Sequence, residues 1–185
     1  DEHYRHDLRM RIQSIQNQLP ENDQNNSNGF SFFTEYQLWY RLFKNSNLTV
    51  GISENYSRVV SNFYGDHKGL NTAGFTQVEI KLAGKLMLTA GLRVEQYSLD
   101  REHEKIVPIF RTGLNYRAAE FTFLRASFGQ GYRYPSIAEK YANTTVGSVK
   151  IFPEPYIQPE SGWSSEVGIK QGIFSGRMNG MLDLA

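Results

Sequence analysis

The residues of this chain with the widest chemical reach are four histidines, an acidic run from Asp100 to Glu104, and tyrosine and basic residues between Tyr132 and Tyr141. A two-histidine metal grip on a strand needs both rings on one face. His3 and His6 are three apart and so fall on opposite faces, and His67 and His103 are distant in sequence. All four read as solvated surface, and no metal site is expected. The absence of cysteine excludes a disulfide framework, a thiolate metal centre and a cysteine nucleophile. Asp100, Glu102 and Glu104 read as a solvated loop tip. Gly129-Gln130-Gly131 lacks the third glycine and the following helix of a dinucleotide fingerprint. With no nucleophile–base pair, phosphate cradle or paired catalytic carboxylates in view, neither an enzyme nor a cofactor is expected. What remains is recognition. Tyr132, Arg133, Tyr134, Lys140 and Tyr141 are the candidate substrate contacts, because tyrosine faces and the arginine fork suit planar or anionic groups, among others. Twenty Lys and Arg against nineteen Asp and Glu give a net charge of +1, without the basic excess of a nucleic-acid binder.

The elements that must position these residues announce themselves by period two. Leu86, Leu88, Ala90, Leu92 and Val94 alternate with Met87, Thr89, Gly91, Arg93, Glu95 and Tyr97, so this segment has one apolar and one wet face. Thr76 to Leu82, Phe110 to Arg117, Leu124 to Gly129, Trp163 to Ile173, Phe32 to Leu42, Leu48 to Ile52, Leu8 to Ile12 and Met178 to Leu184 repeat the pattern, giving about nine strands. Many are longer than the usual 5–6 residues and match the roughly 9–11 that a tilted membrane-crossing strand needs. Short connections at 44–47, 83–85, 118–120 and 175–176 take turns with long ones at 17–29, 61–71, 100–107 and 134–162. That sorting is the layout of a transmembrane barrel with tight turns on one side and extended loops on the other.

A mean hydropathy of −0.51 excludes a membrane-spanning helix but not a barrel whose strands spend half their side chains on a wet interior. Aromatics make up 14% of the chain. Tyr36, Tyr40, Phe63, Tyr64, Tyr97, Tyr116, Tyr132 and Trp163 fall at strand ends, as interfacial girdles require. The expected fold is therefore all-β, a partial antiparallel up-and-down transmembrane barrel; a soluble antiparallel sandwich is the competing fold. No leader is visible, and the alternation runs up to both ends. Residues 1–185 accordingly read as part of one barrel domain, truncated at both ends.

Alternation also sorts the charges. Arg93, Glu95, Arg111, Arg117, Arg125, Arg133, Glu166, Lys170 and Arg177 collect on the inner face, where they can form ion-pair ladders or grip a plug. Pro135 ends a strand, and Ser136 with Glu139 forms a capping box that predicts a short helix over Ile137–Ala142 in the largest loop.

Gly113-Leu114-Asn115-Tyr116, the run from Leu124 to Ser136, Pro159-Glu160-Ser161, Glu166 to Lys170 and Thr89 to Glu95 together resemble the barrel of TonB-dependent outer-membrane receptors. The resemblance covers roughly Phe30 to the C-terminus. It departs at Phe152-Pro153-Glu154-Pro155, where the family's asparagine before proline is missing, and the plug domain and TonB-binding segment are not recognisable. The resemblance implies a bacterial outer-membrane location and TonB-driven uptake of a scarce nutrient such as an iron–siderophore complex, haem, cobalamin or a glycan. It implies as partners the membrane lipid, the receptor's own plug and TonB through segments outside this sequence, and a small-molecule or glycan substrate. A non-transporting surface binding module and a passive porin are the alternatives in function.

Overall fold

The computed structural model describes residues 3–18, 26–146, 148–175 and 178–185. Where alternation is unbroken, strands form and run up and down: β1 (Tyr4–Asn17), β2 (Ser27–Phe43), β3 (Ser46–Ser61), β4 (Gly65–Leu82) and β5 (Leu86–Leu99). The two-residue β6 (Glu102–His103) precedes β7 (Val107–Ala119) and β8 (Thr122–Arg133). Helix α1 (Ile137–Tyr141) and a small hairpin of β9 (Thr144–Val146) and β10 (Val149–Ile151) fill the next connection, before β11 (Glu160–Ser175) and β12 (Met178–Leu184). The principal sheet is ten-stranded, in the order β1-β2-β3-β4-β5-β7-β8-β11-β12, with β6 hung on β5. Every long pairing is antiparallel. The nine long strands are those the alternation marks; β6, β9 and β10 are too short to show a period.

The turns at one end are tight. Lys85 N donates to Leu82 O at 3.1 Å across Ala83 and Gly84, whose φ angles of 48° and 66° define the left-handed turn that matches strand twist. At the other end, the segment 61–71, expected as a long loop, pairs up to Ser61↔Gly65. The end of this hairpin is largely polar on both faces (Asn55, Ser57 and His67 on one, Arg58, Asp66 and Lys68 on the other), so the ladder satisfies the backbone while water reaches both sides. β3 and β4, 16 and 18 residues long, thus extend beyond any apolar band. The 17–29 loop and the 175–176 turn lie partly outside the described residues, and Arg177 wholly so.

Register divides the sheet into two faces. Arg9, Glu35, Ser53, Ala73, Glu95 and Val107 stand in one cross-strand row; Leu8, Tyr36, Ile52, Gly74, Val94 and Pro108 stand in the neighbouring row on the opposite face. The apolar face is open: Leu8 is 61% exposed, Ile52 64% and Val167 77%. Leu88 meets Ile80 and Leu114 only as strand neighbours on this face. Among the described residues no large side chain is fully buried, so the packed interior of a soluble sandwich does not form. Each leucine of the row gains roughly 1.5–3 kcal/mol on leaving water, which only an external apolar medium can supply.

The other face is crowded. A Cβ on Gly51 would run into the Phe75 ring and lie 2.7 Å from the Tyr36 carbonyl, whereas one on outward Gly74 meets no described atom within 4 Å. The crowding is local: on the same face a Cβ on Gly168 would lie 2.7 Å from Arg125 Nε, whereas one on Gly131, nearer the cleft, meets no described atom within 4 Å. The expected ion pairs form in part. Arg93 pairs with Glu95, and Arg125 reaches Glu166 at 3.2 Å and Asp183 at 3.1 Å across two strand boundaries. Among the described residues Arg111, Arg117 and Lys170 enter no ion pair.

Candidate functional site

The inner face ends in a cleft remote from the short turns. Asn55, Asn71 and Tyr97 stand in one row across β3, β4 and β5, and the Tyr97 ring leans over Gly69, where a Cβ would come within 2.9 Å of its hydroxyl. From the opposite side β8 delivers Tyr132 and Arg133. Pro135, which has no backbone N–H to continue the ladder, then turns the chain away.

The capping box forms as expected. Glu139 N donates to Ser136 Oγ at 3.2 Å, and Ser136 N donates to the Glu139 carboxylate at 2.7 Å. Helix α1 follows and closes at Ala142. It is pinned to the top of β4 and its neighbours. The Tyr141 ring stacks on His67 at 3.7 Å, Lys140 Nζ meets Glu104 Oε1 at 3.5 Å, and Asn143 N donates to Phe63 O at 3.0 Å. His67 is itself fixed by Asp100 Oδ2 at 2.6 Å and the Tyr64 carbonyl at 2.9 Å.

Between α1 and the sheet lies an open cavity of about 610 Å³, lined among others by Asn55, Asn71, Tyr97, Tyr132, Arg133 and Tyr134. Tyr134 stacks on Tyr97 and receives the edge of Tyr132, each at 4.8 Å between centroids. Of the five candidate contacts, Tyr132, Arg133 and Tyr134 come together here. Lys140 and Tyr141 do not line the cleft; they are turned to Glu104 and His67 and hold the helix. Arg133 is itself occupied, with Glu160 at 2.7 Å and Glu139 at 2.8 Å.

The electrostatics follow from these contacts. The hydrogen bonds from Arg133, with those from the Ser136 amide and hydroxyl, hold the Glu139 carboxyl down to about 2. Burial, then the nearby Tyr132 and Glu95, push the Tyr134 phenol up to about 12, so it stays a neutral donor and acceptor. Burial likewise raises Tyr141, with help from Asp100 and Glu102. Burial works to raise Asp100, but hydrogen bonds from His67 and the Lys68 amide outweigh it and the net shift is downward.

Several of these residues carry different roles from those expected of them. His67, Asp100 and Glu104, expected as solvated surface, anchor α1. Tyr97, expected in the aromatic girdle, faces inward; its spacing from Arg93 and Glu95 already placed it on the charged row. Asn55 and Asn71 were findable only by aligning inner rows across hairpins, which needs the register. Among the described residues no cluster of three or more His, Asp and Glu side chains is arranged to hold a metal.

This architecture, an up-and-down sheet with an apolar outside, a charged inside and a cleft at the looped end, defines a section of membrane-barrel wall. The siderophore receptor PirA from Pseudomonas aeruginosa superposes with a TM-score of 0.73 at 20% identity, over 89% of this chain and 32% of that one. The Serratia marcescens hemophore receptor HasR, solved with its hemophore HasA and heme, gives 0.62 at 14% identity over 92% and 37%. The copper transporter OprC gives 0.63 at 15% identity over 80% and 28%. The chain thus spans about a third of the length of these proteins. No curated protein sequence matches it. The family model for the TonB dependent receptor-like β-barrel matches residues 3–185, and the chain belongs to that family.

Proposed function

We propose that this chain is one stretch of a single larger barrel domain in the bacterial outer membrane, in a transporter that takes up a scarce nutrient with energy relayed by TonB. The aliphatic rows meet lipid hydrocarbon and the charged rows line the lumen against the receptor's own plug. The cleft meets a small-molecule or glycan substrate through Tyr132, Arg133 and Tyr134, with Lys140 and Tyr141 holding α1 in place. The observation that supports this reading is the cleft's position on the charged face of the sheet, at the end away from the tight turns.

The test uses the full-length receptor in cells deleted for its gene, offered a panel of iron chelates, haem, cobalamin and oligosaccharides. Expression should restore uptake of one class, and a proton uncoupler should abolish it. Tyr97→Ala combined with Tyr134→Ala should raise the half-saturating concentration about 10-fold, the loss of two aromatic contacts of roughly 0.5–1.5 kcal/mol each. Uptake indifferent to the uncoupler points to a passive porin, and uptake indifferent to the tyrosines removes the cleft from the substrate's path.

A further inference from the structure

The cleft's charges are already spent, and this bears on what it admits. One guanidinium group borders it, Arg133, and one carboxylate, Glu95. Arg133 is held by Glu139 and Glu160, and Glu95 pairs with Arg93 outside the cleft. The nearest ammonium, Lys140, is 9% exposed and turned to Glu104. An anionic ligand would therefore meet a surplus of negative charge and, among the residues that line the cleft, no unengaged cation, and stripping Arg133 of its partners would cost two charge-assisted bonds. The neutral chemistry, by contrast, is open. Tyr97, Tyr132 and Tyr134 pack on one another and together line the cleft with the ring surface left over, Asn55 and Asn71 offer carboxamides, and Asn71 Oδ1 is buried without a hydrogen-bond partner in the protein. A buried acceptor left unpaired is costly until a donor arrives. Flat aromatic faces beside neutral donors and acceptors suit a ring whose one face is C–H and whose rim is hydroxyl.

Resting on the reading of the cleft as the substrate site, we propose that it selects an uncharged, hydroxyl-rich ligand of the oligosaccharide class, and that the Arg133–Glu139–Glu160 clamp is the element that turns anions away. The ring faces would stack on the tyrosines, and a ligand hydroxyl would donate to Asn71 Oδ1.

The experiment presents the full-length receptor, in detergent at pH 7, with three probes. These are a neutral oligosaccharide fraction from a plant cell-wall digest, the uronate-bearing fraction of matched length, and a negatively charged ferric tris-catecholate. Retained material is quantified by mass spectrometry. The neutral fraction should be retained and both anionic probes should not. Glu160→Gln, which removes one of the two carboxylates on Arg133 and leaves the α1 cap intact, should keep neutral binding and gain about 3-fold in retention of the uronate fraction. Heat-modifiable migration checks that the variant barrel is folded, and Glu160→Ala serves if the Glu160→Gln variant is not. Tighter wild-type retention of either anion, lost on Tyr97→Ala, overturns the selectivity while leaving the cleft as the substrate site. Neutral binding without the gained uronate binding removes the clamp from selection. Retention of nothing, or retention that Tyr97→Ala and Tyr134→Ala leave unchanged, sinks the substrate-site reading and this inference with it.

Discussion

Two rows of the same face, one residue pair apart, belong to different environments. Ile52, Gly74 and Val94 stand side by side on the outward surface of β3, β4 and β5; the next outward row toward the cleft is Glu54, Thr72 and Gln96. Below this line the outward row is aliphatic and the inward row charged. Above it both rows are mixed and largely polar, with Glu54, Thr72 and Gln96 outward and Asn55, Asn71 and Tyr97 inward, yet the hairpin of β3 and β4 stays paired as far as Ser61↔Gly65. Hydrogen bonding alone is therefore indifferent to the boundary. What changes is the solvent that each face can accept, and the line marks where hydrocarbon gives way to water. The cleft lies above or at that line, so its chemistry is that of a wet protein surface and not of a membrane core.

The largest expected effect probes the boundary directly. Leu88→Arg, within the aliphatic stretch, should cost about 2–4 kcal/mol in denaturant unfolding of the full-length receptor in lipid, and Gln96→Arg, above the line, about 0–1 kcal/mol. Equal costs at both positions would erase the boundary. A second contrast sets the two faces against each other. Gly51→Ala should destabilise by about 1–3 kcal/mol, since its Cβ meets the Phe75 ring and the rigid Tyr36 carbonyl, while Gly74→Ala on the roomy face should be near neutral.

Smaller effects sharpen the comparison between turn and loop. Ala83 sits at φ 48°, so Ala83→Gly should raise stability by roughly 0.5–1 kcal/mol by relieving left-handed strain at the tight end. At the cleft end the signal is local. The Glu139 carboxyl is held down from the ordinary 4.5 to about 2, so its hold on α1 is complete above about pH 4.5 and is lost as pH falls through 2. Amide hydrogen exchange over 136–143, corrected for intrinsic rates, should stay constant from pH 7 to 5 and accelerate toward pH 2. Glu139→Gln should show the accelerated exchange at every pH.

The membrane-crossing part of the fold was legible in sequence because a single rule governs it. Each residue of β5 from Leu86 to Val94 must suit either lipid or lumen, and a period of two records the choice. The capping box of Ser136 and Glu139 was legible for a similar reason, since both partners lie within one turn. The cleft was only half legible. Tyr132, Arg133 and Tyr134 are contiguous and could be read as a cluster, but Asn55, Asn71 and Tyr97 become neighbours only through the register of three strands, which no local pattern carries above the boundary. His67 and Asp100 read in sequence as solvent-facing, because polar side chains 33 apart give no sign that a helix will dock on them. Lys140 and Tyr141 looked equivalent to Tyr134 in sequence; one turn of helix rotates them toward Glu104 and His67 instead.

The most direct test is nitroxide scanning along β5, one label per receptor variant from position 88 to position 95, in lipid bilayers. Accessibility to oxygen should peak at 88, 90, 92 and 94, and accessibility to a water-soluble nickel chelate at 89, 91, 93 and 95. Loss of that period, or the opposite phase with 88 and 92 shielded from lipid, would contradict the assignment of the aliphatic rows to the membrane and with it the account of the cleft as part of a barrel lumen.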